Sequence, residues 1–206
     1  MRSRHNPNLL PADLPRPADD GACAHLTGLQ IPSTPLTGTD GRTHNLAARS
    51  WEGWVVVFAY PRTGQEGQEP PGGEEAWNAI PGARGCTPQC VAYSGRLEEF
   101  TRLGVTVYGL STQDTGYQRE AVRRLRLGYE LLSDADLTLA RSLRLPTFEV
   151  AGQVLLRRHT LFLHNGLIQH VRYPVFPPDQ DAAQAIAWLR WLQEPPCRTG
   201  VKILQP

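Results

Sequence analysis

The sequence predicts an α/β fold, a three-layer sandwich around a central mixed sheet, and three patterns carry that expectation. Trp54-Val55-Val56-Val57-Phe58-Ala59-Tyr60 and Val105-Thr106-Val107-Tyr108-Gly109-Leu110 are continuous apolar runs, rich in β-branched and aromatic residues, as strands buried on both faces should be. Segments of helical period alternate with such runs along the chain. The turn residues His164-Asn165-Gly166 and a last amphipathic stretch then close it with a hairpin and a helix.

Taken in order, Met1 to Asp20 carries Pro7, Pro11, Pro15 and Pro17 and reads as an extended arm, with structure beginning near Leu26. Gln30 to Leu36 with the turn Thr39-Asp40-Gly41-Arg42 suggests a short hairpin, and Asn45 to Arg49 a helical turn. The first buried strand stops at Pro61. Gly64 to Gly85 is rich in Gly, Pro and Glu, with Trp77 and Ile80 as its large apolar anchors, and is too long for an ordinary connection. A helix is expected over Pro88 to Leu103, with Thr87 as N-cap and Gly104 as its stop. After the second strand come a helix over Thr115 to Leu125, a strand at Tyr129 to Leu132, and a helix capped by Ser133-Asp134-Ala135-Asp136. Val154 to Arg158, Thr160 to Leu163 and Leu167 to Tyr173 read as strands, and Ala182 to Leu192 as the closing helix. The order is that of a thioredoxin-type sandwich. It divides the chain into a proline-rich arm (1–25), a domain (26–193) with an insertion (64–85), and a tail (194–206).

A chain of 206 residues with 40% hydrophobic and 20% charged residues suits one soluble domain. Its formal charge of +1 offers no footprint for nucleic acid; Arg123-Arg124-Leu125-Arg126 reads as a solvated helix face. No signal-like segment and no apolar run of membrane-spanning length is evident, which points to the cytoplasm. His159, His164 and His170 are scattered by strand alternation, so no metal site is expected. Trp188 and Trp191 read as core residues. Tyr173 to Pro178 reads as a packed connection, or as an apolar partner surface.

The chemistry concentrates in Gly85-Cys86-Thr87-Pro88-Gln89-Cys90. A cysteine at a helix N-terminus meets unpaired backbone N–H groups and the positive end of the helix dipole, which favour the anion that attacks electrophiles. Arg84 adds a neighbouring positive charge. Cysteines are also common in cores, and Cys86, Cys90, Tyr93, Leu97 and Phe100 form one apolar stripe, so a purely structural pair stands beside the reactive one. The spacing is C-x₃-C, unlike the C-x-x-C of thioredoxin-like oxidoreductases.

Gly85-Cys86-Thr87-Pro88-Gln89, with Leu97-Glu98-Glu99-Phe100 and Leu103-Gly104, resembles the peroxidatic helix of Q-type peroxiredoxins, the bacterioferritin comigratory protein group. Tyr60-Pro61, Gly109-Leu110-Ser111-Thr112 and Leu131-Leu132-Ser133-Asp134 are similar to further motifs of that family, and Arg158-His159-Thr160 to its Arg-x-Thr strand. The similarity runs from about Leu26 to Arg190 in the family's order. It implies a peroxidase without metal, haem or nucleotide cofactor: a cysteine is oxidised to sulfenic acid by a hydroperoxide, a second thiol captures it, and a thioredoxin-like or small-thiol reductant returns the electrons.

Residue by residue, the resemblance makes Cys86 the peroxidatic cysteine, Cys90 the resolving candidate and Arg158 the active-site arginine. Pro61 and Thr63 would be the Pro and Thr that precede the cysteine, here separated from it by the insertion. Arg157 competes with Arg158, and alternation would turn only one of them inward. The local Thr87-Pro88-Gln89-Cys90 also reproduces the family's Thr-Pro-x-Cys and would assign the attack to Cys90. Cys23 and Cys197 are the other thiols. A thiol–disulfide oxidoreductase and a redox-responsive binding protein are the rival functions on the same fold, and monomer and homodimer both remain open.

Overall fold

A computed structural model describes residues 6–65 and 67–193; the tail with Cys197 lies outside the described residues. The chain forms β1 (Pro35–Gly38) and β2 (Thr43–Asn45), α1 (Leu46–Trp51), β3 (Trp54–Ala59), α2 (Glu74–Ala79), α3 (Cys86–Gly95) and α4 (Leu97–Arg102). It continues through β4 (Val105–Ser111), α5 (Thr115–Leu125), β5 (Glu130–Ser133) and α6 (Thr138–Leu143). The hairpin β6 (Thr147–Val150) and β7 (Gln153–Leu156) follows, then β8 (His159–His164), β9 (Leu167–Arg172) and α7 (Asp181–Gln193). Seven strands make one sheet in the order β2-β1-β5-β4-β3-β8-β9. β3, β4 and β5 run parallel and their flanks antiparallel, so the sheet is mixed, as expected.

The central strand shows why its sequence is apolar throughout. Val55, Val57 and Ala59 face one core, with Leu46 of α1 and Leu139 and Leu143 of α6. Val56 and Phe58 face the other, with residues of α3, α5 and α7. Alternation sends neighbours to opposite faces, and both faces are covered. On the second face Phe58 stacks on Tyr93 with ring centroids 4.1 Å apart and meets Tyr129 edge-on at 5.7 Å. Tyr93 in turn stacks on Phe100 at 5.5 Å. Each such pair adds about 0.5–1.5 kcal/mol beyond its buried area. This aromatic tier clamps α3 to the sheet and so fixes where Cys86 stands.

Several expectations need correction. The single helix over Pro88 to Leu103 is two, α3 and α4, joined at Arg96, and the first begins at Cys86. Its N-cap is Gly85 in the left-handed region (φ 101°), not Thr87. A Cβ at Gly85 would lie 2.3 Å from Pro178 Cγ and 2.9 Å from Leu10 Cδ1, so both the backbone and the space require glycine. Trp191 is 68% exposed and not a core residue, whereas Trp188 packs on Phe162. Strand pairing in the first hairpin starts at Pro35; Gln30 makes only an isolated bridge to Leu167. Arg157 and Arg158 lie outside any strand, in the short link from β7 to β8.

The 64–85 insertion contains the short helix α2, and its buried Trp77 and Ala83 pack with Leu155 of β7 into a third small core beside Phe148 and Val150. Of the β6–β7 hairpin supplying that platform, β7 overlaps the strand expected over Val154 to Arg158, while β6 was not evident in the sequence. The arm also packs on the domain: Asp20 pairs with Arg157 at 2.7 Å and accepts from the Tyr173 hydroxyl at 2.9 Å. The connection after β9 carries cis peptides before Pro174 and Pro177.

His159 at the start of β8 is fully buried, its Nδ1–H donating to the Arg157 carbonyl at 2.8 Å. Burial pushes its pKa down from 6.5 to about 4. The folded chain therefore rejects a proton that the unfolded chain accepts. Stability is fully present above about pH 6.5 and is lost as pH falls toward 4, by roughly 3 kcal/mol at the acid end. Denaturant titrations across that window should show this slope in the wild type and a flatter one in His159→Gln.

Candidate active site

The parallel strands β3 and β4 end side by side, and at such strand ends open α/β sheets gather polar groups. Pro61, Arg62 and Thr63 leave the end of β3 beneath the first turn of α3. The Arg62 backbone N–H donates to Cys86 Sγ at 3.3 Å. From the other side Arg158 Nη2 donates to the same sulfur at 3.1 Å. Cys86 is 3% exposed and lines a cavity shared with Thr63, Arg84 and Thr87. A sulfur receiving a guanidinium and a backbone N–H at a helix N-terminus is set up to carry negative charge.

Arg158 is itself 3% exposed. Its Nη2 also reaches the carbonyls of Gly82 at 3.2 Å and Arg84 at 3.2 Å, while Nη1 donates to Gln89 Oε1. Gln89 Nε2 donates to Asp181 Oδ2 at 2.8 Å. That oxygen also accepts from the Tyr93 hydroxyl at 2.8 Å and the Thr160 hydroxyl at 2.7 Å. Arg172 pairs with Oδ1 at 2.8 Å. Because the Asp181 carboxylate only accepts, Gln89 must turn its amide N–H₂ toward it and its carbonyl toward Arg158. The orientation of the arginine is thus set two residues away from the sulfur. Arg157 points outward to Asp20, so of the two neighbouring arginines only Arg158 meets the sulfur.

The remaining sequence candidates separate clearly. Cys90 lies one turn along α3 with no exposure, in the core beside Tyr129, whose hydroxyl donates to the Cys90 carbonyl at 2.8 Å. Burial pushes its thiol pKa up. Thr63 lies in the cavity wall despite its distance from Cys86 in sequence. Its hydroxyl donates to Gln113 Oε1 at 3.1 Å, and its backbone N–H to the same oxygen at 3.0 Å. Arg84 is turned away from the sulfur; its guanidinium grips the Asn6 carbonyl at 2.6 Å and the Leu9 carbonyl at 3.3 Å, with Glu74 at 3.5 Å. Cys23 is a buried free thiol in the opposite core, and burial pushes its pKa up to about 12.

Gln89, Gln113 and Asp181 were not singled out in the sequence. Gln113 had a usable signal, since it sits in the polar stretch at the end of a buried parallel strand. Asp181 reads in sequence as an ordinary acid at a helix start. Among the described residues no group of three or more His, Cys, Asp or Glu is placed to hold a metal ion, and no helix is long and apolar enough to cross a membrane.

A redox-capable cysteine at a helix N-terminus, gripped by a buried arginine over the ends of parallel strands, defines a thiol-redox protein of thioredoxin-like fold. The Redoxin family model matches residues 26–186, and the chain belongs to that family. It is 25% identical over 194 residues to the chloroplastic peroxiredoxin Q of Suaeda salsa, covering 93% of this chain and 81% of that one. It is 26% identical over 165 residues to the chloroplastic peroxiredoxin Q of Oryza sativa subsp. japonica, with 80% and 67% covered. The fold matches the crystal structure of peroxidoxin BcpB from Mycobacterium tuberculosis with a TM-score of 0.65 at 24% identity, over 82% of this chain and 100% of that chain. Peroxiredoxin Q of Xanthomonas campestris matches with a TM-score of 0.62 at 21% identity, over 81% and 98%. The resemblance to Q-type peroxiredoxins read from the sequence therefore holds across the domain.

Removing the Asp181 carboxylate leaves the Tyr93, Thr160 and Gln89 donors unpaired in the interior and takes one partner from the half-buried Arg172, which keeps the Asp181 backbone carbonyl and Gln184. Asp181→Ala should cost about 3–5 kcal/mol of stability, read from urea denaturation at neutral pH.

Proposed function

We propose that this chain is a thiol-dependent peroxidase in which Cys86 attacks the hydroperoxide. The observation that carries this reading is the 3.1 Å contact from the buried Arg158 guanidinium to Cys86 Sγ. The Cys86 thiolate donates an electron pair to one peroxide oxygen. The O–O bond breaks, Cys86 is oxidised to sulfenic acid, and the other oxygen takes a proton from solvent and leaves as water or alcohol. Arg158 and the Arg62 N–H stay in place as charge moves from sulfur to the leaving oxygen, stabilising both without reorganisation. Gln113 holds Thr63, and Pro61 shapes the turn that presents the Arg62 N–H.

Cys90 is the resolving candidate: its thiol displaces the sulfenic hydroxyl as water and leaves a Cys86–Cys90 disulfide, which a thioredoxin-like dithiol or a small thiol reduces. On an intact helix residues four apart hold their Cβ atoms about 5–6 Å apart, against about 3.5–4.5 Å in a disulfide. The first turn of α3 must unwind for the bridge to close. The relatives and neighbours named peroxiredoxin support the peroxidase over the oxidoreductase and binding-protein alternatives. Three free cysteines among the described residues fit a reducing compartment such as the cytoplasm.

Peptide-mapped mass spectrometry after one equivalent of hydrogen peroxide, quenched with a thiol-blocking reagent, tests the assignment. Cys86 should become sulfenic acid or bridge to Cys90 well before Cys23 reacts. Cys86→Ser should abolish turnover, and Arg158→Met should slow the first oxidation about 10²–10³-fold. Cys90→Ser should retain that first oxidation and accumulate sulfenic acid. Selective oxidation of Cys90 in place of Cys86 would overturn the assignment.

A further inference from the structure

The N-terminal arm enters the active site from outside the family-matched region. Pro7 is buried and lines the cavity over Cys86. Arg84 ties the arm down through the carbonyls of Asn6 and Leu9. Leu10 packs against Gly85, leaving no room for a Cβ there. These contacts roof the segment that leads directly into Cys86.

The space left beneath the roof is small and polar. About 30 Å³ is open to water over the sulfur, where one water needs about 10–15 Å³. That is room for two oxygen-sized atoms. Arg62, Thr63, Gln65 and Arg84 line it beside Pro7, Trp77 and Tyr117, and its small size leaves no space for an alkyl or aryl group.

We infer that the arm residues Pro7 and Leu10 make this site selective for hydrogen peroxide over bulky apolar hydroperoxides. The inference rests on the peroxidase reading above and names its substrate class. A hydroperoxide with a bulky substituent reaches the sulfur only if the arm lifts, and lifting it breaks the Arg84 contacts. Hydrogen peroxide is small enough to enter with the roof closed.

Steady-state kcat/KM for hydrogen peroxide and for cumene hydroperoxide, measured on the full chain, tests this. The wild type should favour hydrogen peroxide at least tenfold. Pro7→Gly combined with Leu10→Ala should lower that ratio about fivefold or more, through a gain for cumene hydroperoxide. A wild type that reduces both peroxides equally well overturns the inference while leaving the peroxidase reading intact. So does a ratio unchanged in the double variant. No reaction of the wild type with either peroxide would sink the peroxidase reading and this inference together.

Discussion

The site depends on one buried cation. Arg158 is almost wholly removed from water, and among the described residues no carboxylate pairs with it directly. Burying a guanidinium is costly unless its charge and its N–H groups are met. Here backbone carbonyls of Gly82 and Arg84 and the side-chain carbonyl of Gln89 take hydrogens from its two terminal nitrogens, while Nε finds no partner in the protein. The Cys86 sulfur at 3.1 Å is the group that can supply a full negative charge. The insertion's last residues bend around the arginine, Gln89 is oriented by Asp181, and Asp181 ties together α3, β8, β9 and α7 through Tyr93, Thr160 and Arg172. A rigid, desolvated donor beside a sulfur is an arrangement suited to a reaction in which charge passes from sulfur to oxygen.

The same rigidity opposes the next step. The aromatic tier of Phe58, Tyr93 and Phe100 holds the body of α3 to the sheet, so the helix does not move as a whole to bring Cys90 to Cys86. Only its first turn is free to unwind, because its N-cap is a glycine with no side-chain cap bond. Residues just upstream of that turn are held by Arg84 to the arm and by Arg158 to the carbonyls of Gly82 and Arg84. On the proposed mechanism, converting Cys86 to a sulfenic acid changes the group that Arg158 grips, and the first turn of α3 is where the structure can respond.

Much of this was legible in the sequence because it rests on pattern. The runs around Val56 and Val107 announce doubly buried strands, and the reactive segment is contiguous from Gly85 to Cys90. The choice of Arg158 over Arg157 holds, although the expected reason, strand alternation, does not: both residues lie in a link, where the pairing of Arg157 with Asp20 decides the matter. What the sequence hid depends on distant partners. Thr87 satisfies every local rule for an N-cap, yet the helix starts two residues earlier than expected, behind a Gly85 that Pro178 and Leu10 crowd too closely for a Cβ. Asp181 looks like a surface cap until α7 docks and buries it. Strand β6 is short, half-exposed and outside the main sheet, so its alternation is weak.

The insertion shows why separation in sequence was a poor guide to the site. Thr63 and Cys86 are joined through a segment with its own helix and its own core, Trp77 and Ala83 against Leu155. Such a segment loops out and returns without displacing either end, since loop-closure cost grows only slowly with length. Thr63 is held by Gln113 of the neighbouring strand end, not by its distance along the chain from Cys86. The insertion also brings Arg84 into the site, and through Arg84 the arm. Roof and helix start therefore meet in the same few residues, Gly82 to Cys86. A reductant that attacks the oxidised sulfur must approach through the region that the roof covers while the enzyme awaits peroxide. On the proposed mechanism, the local unwinding that lets Cys90 reach Cys86 also opens the region that the arm roofs, so peroxide would meet the closed form and the reductant the opened one.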